Sequence, residues 1–98
     1  MPVRFSIEAS ADIDETINWY NNKRAGLGDE FLGQLNVSLD NIEAGPQTFP
    51  VVRNRVRRAV LRRFPYCVFF VVRERDIVVF AVLHGKRNPE VGELRSVQ

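Results

Sequence analysis

Residues 56–84 run through three stretches dominated by Val, Phe and Ile, broken only at Pro65 and at the charged pair Arg75-Asp76. Breaks that short leave room for hairpins but not for crossover helices, so segments 56–64, 66–74 and 77–84 are expected to form an antiparallel meander. The third stretch is apolar on both faces, as a central strand requires. Such a sheet needs a covering layer, and this demand constrains the rest of the chain.

The first half meets it. Residues 3–7 alternate apolar and polar and read as a short strand. The period then changes: Ile13, Ile17 and Tyr20 recur at helical spacing, with Asp12, Asp14 and Glu15 placed where the positive end of a helix dipole favours acids. Ser10 is positioned to cap this helix, which extends to about Lys23. Trp19 and Tyr20 are read as core or hairpin-packing residues. Ala25-Gly-Leu-Gly28 interrupts the pattern, after which Phe31, Leu35, Leu39 and Ile42 share a face until Ala44, where Gly45-Pro46 halts the helix. Two helices with one apolar face each form an αα-hairpin laid on one side of the sheet. The expected fold is therefore α+β and two-layered, with residues 1–98 as one domain.

Several function classes drop out on composition. Cys67 is the single cysteine, which leaves no intramolecular disulfide and no cysteine-built zinc site and favours a reducing compartment such as the cytoplasm. Cys67 itself reads as a small buried hydrophobe. The N-terminus lacks the apolar core of a signal peptide, and no apolar run reaches the roughly 18 residues of a membrane span. The phosphate-binding, dinucleotide, HExxH and EF-hand spacings are missing, so no metal and no nucleotide cofactor is implied.

Charge is unevenly divided. Residues 1–50 hold three bases against eight acids, whereas residues 51–98 hold eleven bases against four acids. Arg53, Arg55, Arg57, Arg58, Arg62 and Arg63 follow one another with no acid between them, a pattern suited to an anionic partner, either nucleic acid or an acidic protein segment. If 56–64 is one strand, alternation puts Arg58 and Arg62 on one face and Arg57 and Arg63 on the other. The plainer reading of the block is an edge strand protected from aggregation. His84, the lone histidine, ends the most apolar stretch, directly before Gly85, Lys86 and Arg87. An imidazole there can move protons in RNA cleavage while Lys86 and Arg87 stabilise phosphate charge. Alternatively it donates to a backbone carbonyl and orders the turn at Gly85. Tyr66 reads as a half-buried packing residue able to contact a partner.

Several segments, taken in order, carry a resemblance. Ala11-Asp12-Ile13 with Trp19-Tyr20, Leu27-Gly28-Asp29-Glu30-Phe31, Pro50-Val51-Val52, Arg62-Arg63-Phe64-Pro65-Tyr66 and the closing Val82-Leu83-His84-Gly85-Lys86-Arg87-Asn88-Pro89 together resemble the RelE/ParE superfamily of bacterial toxins across almost the whole chain. The resemblance implies a toxin neutralised by an antitoxin whose C-terminal segment wraps the helices and sheet. ParE-like members poison DNA gyrase. RelE-like members cleave messenger RNA on the ribosome with clustered Lys, Arg and Tyr, or Glu, His and Tyr. Here the basic strand lacks lysine, and no tyrosine directly follows the last strand, so the ParE-like branch is favoured. The surface expected to meet target or antitoxin comprises Arg57, Arg58, Arg62, Arg63, Tyr66, Lys86 and Arg87. His84 and Arg87 would be catalytic only in a nuclease.

Overall fold

The computed structural model describes residues 1–86, so Arg87 and the segment after it lie outside the described residues. In chain order the elements are β1 (Val3–Phe5), α1 (Ile7–Lys23), α2 (Leu27–Ala44), a 3-10 turn (Pro46–Thr48), β2 (Val51–Arg53), β3 (Val56–Val60), β4 (Tyr66–Val72) and β5 (Ile77–His84). The five strands form one sheet in the order β1-β5-β4-β3-β2. β3, β4 and β5 make the expected antiparallel meander, and β1 joins β5 in parallel, which puts β5 inside the sheet.

The first helix starts four residues earlier than its acidic turn suggests. Ser6, not Ser10, is the cap: its backbone is extended and its Oγ accepts from the Ala9 amide at 3.0 Å. The same hydroxyl donates to Phe80 O at 3.3 Å, and the Ser6 amide donates to Val79 O at 3.0 Å. One residue therefore closes the ladder of β1 and opens the helix with no loop between them. Between the helices Gly26 takes a left-handed conformation at φ 89°, one that a side chain disfavours. Gly28 then packs directly on α1, and its amide donates to Asn21 Oδ1 at 2.8 Å.

Both helices lie on the same face of the sheet. Phe31, Leu35 and Ile42 of α2 and Ala9 and Tyr20 of α1 bury against Ala59, Val68, Phe70, Ile77, Val79 and Val82. Tyr20, Phe31, Phe64 and Tyr66 form an aromatic knot at one end of this core, with ring centroids 5.0 to 6.0 Å apart. Burial first, and then the nearby Tyr66, raises the Tyr20 phenol above its ordinary pKa. The alternate residues of the sheet, including Val56, Cys67, Phe69 and Leu83, form a second buried cluster on the opposite face. A bulge marks β5: Phe69 faces Ala81 but Phe70 faces Val79, which leaves Phe80 as the extra residue and turns both Phe80 and Ala81 to this second face.

The arginine-rich stretch does not form one long strand. β3 stops at Val60, because Arg63 adopts a left-handed φ of 69° and turns the chain before Pro65. Arg62 and Arg63 consequently leave the expected alternation. β2, not β3, is the edge strand on that side. At the other end of the sheet, Arg73 grips Asp76 through Nε at 2.8 Å and Nη2 at 3.1 Å while Arg4 of β1 reaches the same carboxylate at 3.3 Å. The Arg73 hydrogen bonds, above all, hold the Asp76 carboxyl below the usual carboxylate range.

Candidate functional site

β4 and β5 are in register at Tyr66 and His84, so the two side chains meet at one end of the sheet with ring centroids 5.4 Å apart. The Gly85 amide donates to Pro65 O at 2.7 Å and the Lys86 amide donates to His84 Nδ1 at 3.1 Å. The histidine does order the turn, but as an acceptor rather than as a donor to a carbonyl. An amide can only donate, so Nδ1 holds the lone pair and the neutral ring carries its proton on Nε2.

Beside this pair lies an open cleft of about 160 Å³ between α1 and the end of β5, lined by Asp12, Glu15, Trp19, Tyr66, Leu83 and His84 among others. The Asp12 Oδ2 accepts from the Val82 amide at 2.9 Å and so caps the flank of β5 that β1, ending at Phe5, leaves open. Trp19 is 52% exposed, with the Lys23 ammonium 4.7 Å from its ring centroid. It is therefore a surface aromatic set edge-on to Tyr20 at 5.0 Å, and not a core residue. Asp12, Glu15 and Trp19 are the site residues that reading the sequence missed. Trp19 alone carried a signal, since it sits beside the Ile13, Ile17 and Tyr20 stripe and not in it. Among the described residues the cleft is lined by two carboxylates and no cation.

The arginines are not gathered into one patch. Arg57 spends its guanidinium on the chain itself, donating to Phe49 O at 2.6 Å and to Gln47 O and Oε1 at 3.3 Å, which ties the 3-10 turn to β3. Arg63 pairs with Glu30 of α2 at 3.1 Å, and Arg24 takes the other oxygen of that carboxylate at 3.2 Å. The hydrogen bond from Arg24, followed by the field and contact of both arginines, keeps Glu30 below its ordinary pKa. Arg58 shares the second face of the sheet with Phe69, its cross-strand partner, and its Nε is buried without a hydrogen bond among the described residues. Arg62 and Lys86 are exposed. Among the described residues no trio of His, Cys, Asp or Glu stands close enough to hold a metal ion, and no helix is long and apolar enough to cross a membrane.

An αα-hairpin on one face of a mixed five-stranded sheet places the chain among small two-layer α+β domains. Over residues 3–89 the chain matches the family described as the ParE toxin of the type II toxin-antitoxin system, parDE, and it belongs to that family. Among solved structures it resembles a chain of the chromosomal ParDE TA system from P. aeruginosa, with 19% sequence identity and a TM-score of 0.65. The similarity covers 86% of this chain and 95% of that one. At this identity the likeness speaks for the fold. No curated protein matches the chain.

Proposed function

We propose that this protein arrests growth by binding and poisoning DNA gyrase and that a cognate antitoxin silences it. Membership of the ParE family supports the toxin role. The observation that carries the choice of target is the bond from the Lys86 amide to His84 Nδ1. With its Nδ1 lone pair on the turn, His84 offers an Nε2 donor and is not placed to take the proton of an attacking 2′-hydroxyl. The carboxylate of Glu15 in the same cleft also repels a phosphate backbone. The second reading is a ribosome-dependent nuclease acting on messenger RNA, and the meeting of Glu15, Tyr66 and His84 in one cleft is the observation that favours it.

The test is direct. Purified protein mixed with gyrase and supercoiled plasmid should trap cleaved DNA, and His84→Ala should do the same once shown to be folded. Unimpaired gyrase at saturating protein, together with new 5′ ends in messenger RNA that vanish in His84→Ala, would overturn the proposal.

A further inference from the structure

Three chain segments meet at the end of the sheet opposite the His84 cleft. β1 begins there and the β2–β3 and β4–β5 turns close there, since Val3 aligns with Ile77, Arg53 with Val56 and Val72 with Ile77. Residues 2–4, 53–55 and 73–76 hold five arginines and only two acids, Glu74 and Asp76. Asn54 takes a left-handed φ of 52°, which asparagine tolerates, and so turns the chain where Arg55 stands exposed. In the other turn the Arg73 amide donates to Asp76 O at 2.8 Å, which leaves Glu74 and Arg75 at the tip, 91% and 92% exposed. The largely buried Asp76 carboxylate holds Arg4 and Arg73 side by side. A guanidinium has five N–H donors, so both keep donors to spare. Arg55 has no partner among the described residues, and Arg75 has only Glu74 at 4.0 Å.

We infer that this rim seats the phosphate backbone of double-stranded DNA, held by Arg4, Arg55, Arg73 and Arg75. Charge density selects the ligand. Arg4 on β1 and Arg55 at the start of β3 lie three strand spacings apart in the order β1-β5-β4-β3, about 14 Å. One DNA strand presents a phosphate about every 3.4 Å along the helix axis, so that span meets about four of them, one for each arginine. An acidic polypeptide strand turns alternate residues to one side and offers a carboxylate only about every 6.6 Å, half that density. An unpaired nucleic-acid strand fits less well, because the three rim segments contain no aromatic side chain for bases to stack on. Guanidinium contacts to phosphate fix position and carry no sequence preference. The inference rests on the proposed function in one respect, the choice of DNA over duplex RNA, since gyrase works on duplex DNA. The rim then gives the poison a second hold, on the substrate as well as on the enzyme.

The experiment uses the full chain and a fluorescein-labelled DNA duplex of arbitrary sequence, read by anisotropy over a series of salt concentrations. Affinity should fall with salt at a log–log slope of about −3 to −4, as displacement of counterions from about four phosphates demands. Arg55→Ala and Arg75→Ala should each weaken binding about fivefold on any duplex and reduce the slope by about one. Both side chains are exposed, so both variants should melt as the parent does. Glu74→Gln, which removes an acid from the rim, should tighten binding. Arg24→Ala takes the same charge from the other end of the molecule, beside Glu30 and Arg63, and should change binding less than about twofold. Binding that ignores salt, or that Arg24→Ala weakens as much as Arg55→Ala does, would overturn the inference. So would a duplex RNA or single strand bound more tightly than duplex DNA, or poly-glutamate that displaces the duplex at a lower concentration of charge. The gyrase assay is separate: a rim that binds duplex DNA in a protein that leaves gyrase unimpaired keeps this inference and removes the proposed function, and the reverse pair of results does the opposite.

Discussion

Gly28→Ala should loosen the joint between the two helices far more than a single methyl group suggests. A Cβ at this position would lie 2.6 Å from the Ile17 carbonyl oxygen and 2.7 and 2.8 Å from Nδ2 and Cγ of Asn21. The Asn21 side chain can swing aside, but only by giving up the bond it accepts from the Gly28 amide in the first turn of α2, at about 1 kcal/mol. The Ile17 oxygen belongs to the backbone of α1 and cannot move unless the hairpin opens, and overpacking of this kind costs about 1–3 kcal/mol. Alanine recovers part of this through its helix preference, up to about 1 kcal/mol. A net loss of about 2 kcal/mol corresponds to a Tm roughly 8–16 °C lower for a domain of this size. Thermal unfolding followed by far-ultraviolet circular dichroism reads it directly. Gly33→Ala is the internal control: its Cβ meets nothing within 4 Å, so it should melt at or above the parent. A Gly28→Ala protein that melts within about 2 °C of the parent would refute the argument. So would one no less stable than Asn21→Ala, because the backbone contact would then contribute nothing.

Two further outcomes follow from the ionisable groups. Because the folded Asp76 carboxyl titrates below its unfolded value, the stability it contributes is present above about pH 4 and is lost as pH falls through the folded value. Asp76→Asn should therefore show a flatter dependence of the urea midpoint on pH in the acid range, and a parallel pair of curves would refute that. Burial pushes the Cys67 thiol up, with the charge of Arg58 opposing it more weakly. A thiol reagent should therefore label the native protein slowly, at a rate that climbs with denaturant, and prompt stoichiometric labelling without denaturant would contradict the buried assignment.

Much of this architecture was readable from pattern alone. Phe31, Leu35 and Ile42 recur at helical spacing and are buried, and the two-sided apolarity of residues 77–84 placed β5 inside the sheet. What was not readable depended on distant partners. Ser6 and Ser10 are equally good caps locally, and the deciding bond is from Ser6 to Phe80. β3 ends because Arg63, which is no glycine, adopts a left-handed turn, so alternation misassigned Arg62 and Arg63. β2 has only three residues, none fully buried, and leaves no periodic trace. At the site, His84 and Tyr66 stood out by type and position, but Asp12 joins them only because its carboxylate finds a strand amide seventy residues away.

The inner position of β5 also orders events in time. β5 is the partner of β1, with Val3 aligned to Ile77, and it supplies Val79 and Val82 to the floor beneath the helices. A ribosome adds roughly 5–20 residues each second, so the N-terminal strand waits seconds for the neighbour it pairs with. Until then the helices can touch each other but have no completed sheet to rest on, and the cleft at His84 lacks the wall that β5 provides. Contacts of such long sequence separation also slow folding after release. A nascent chain that has not yet reached β5 therefore lacks both the partner of β1 and the floor beneath its helices.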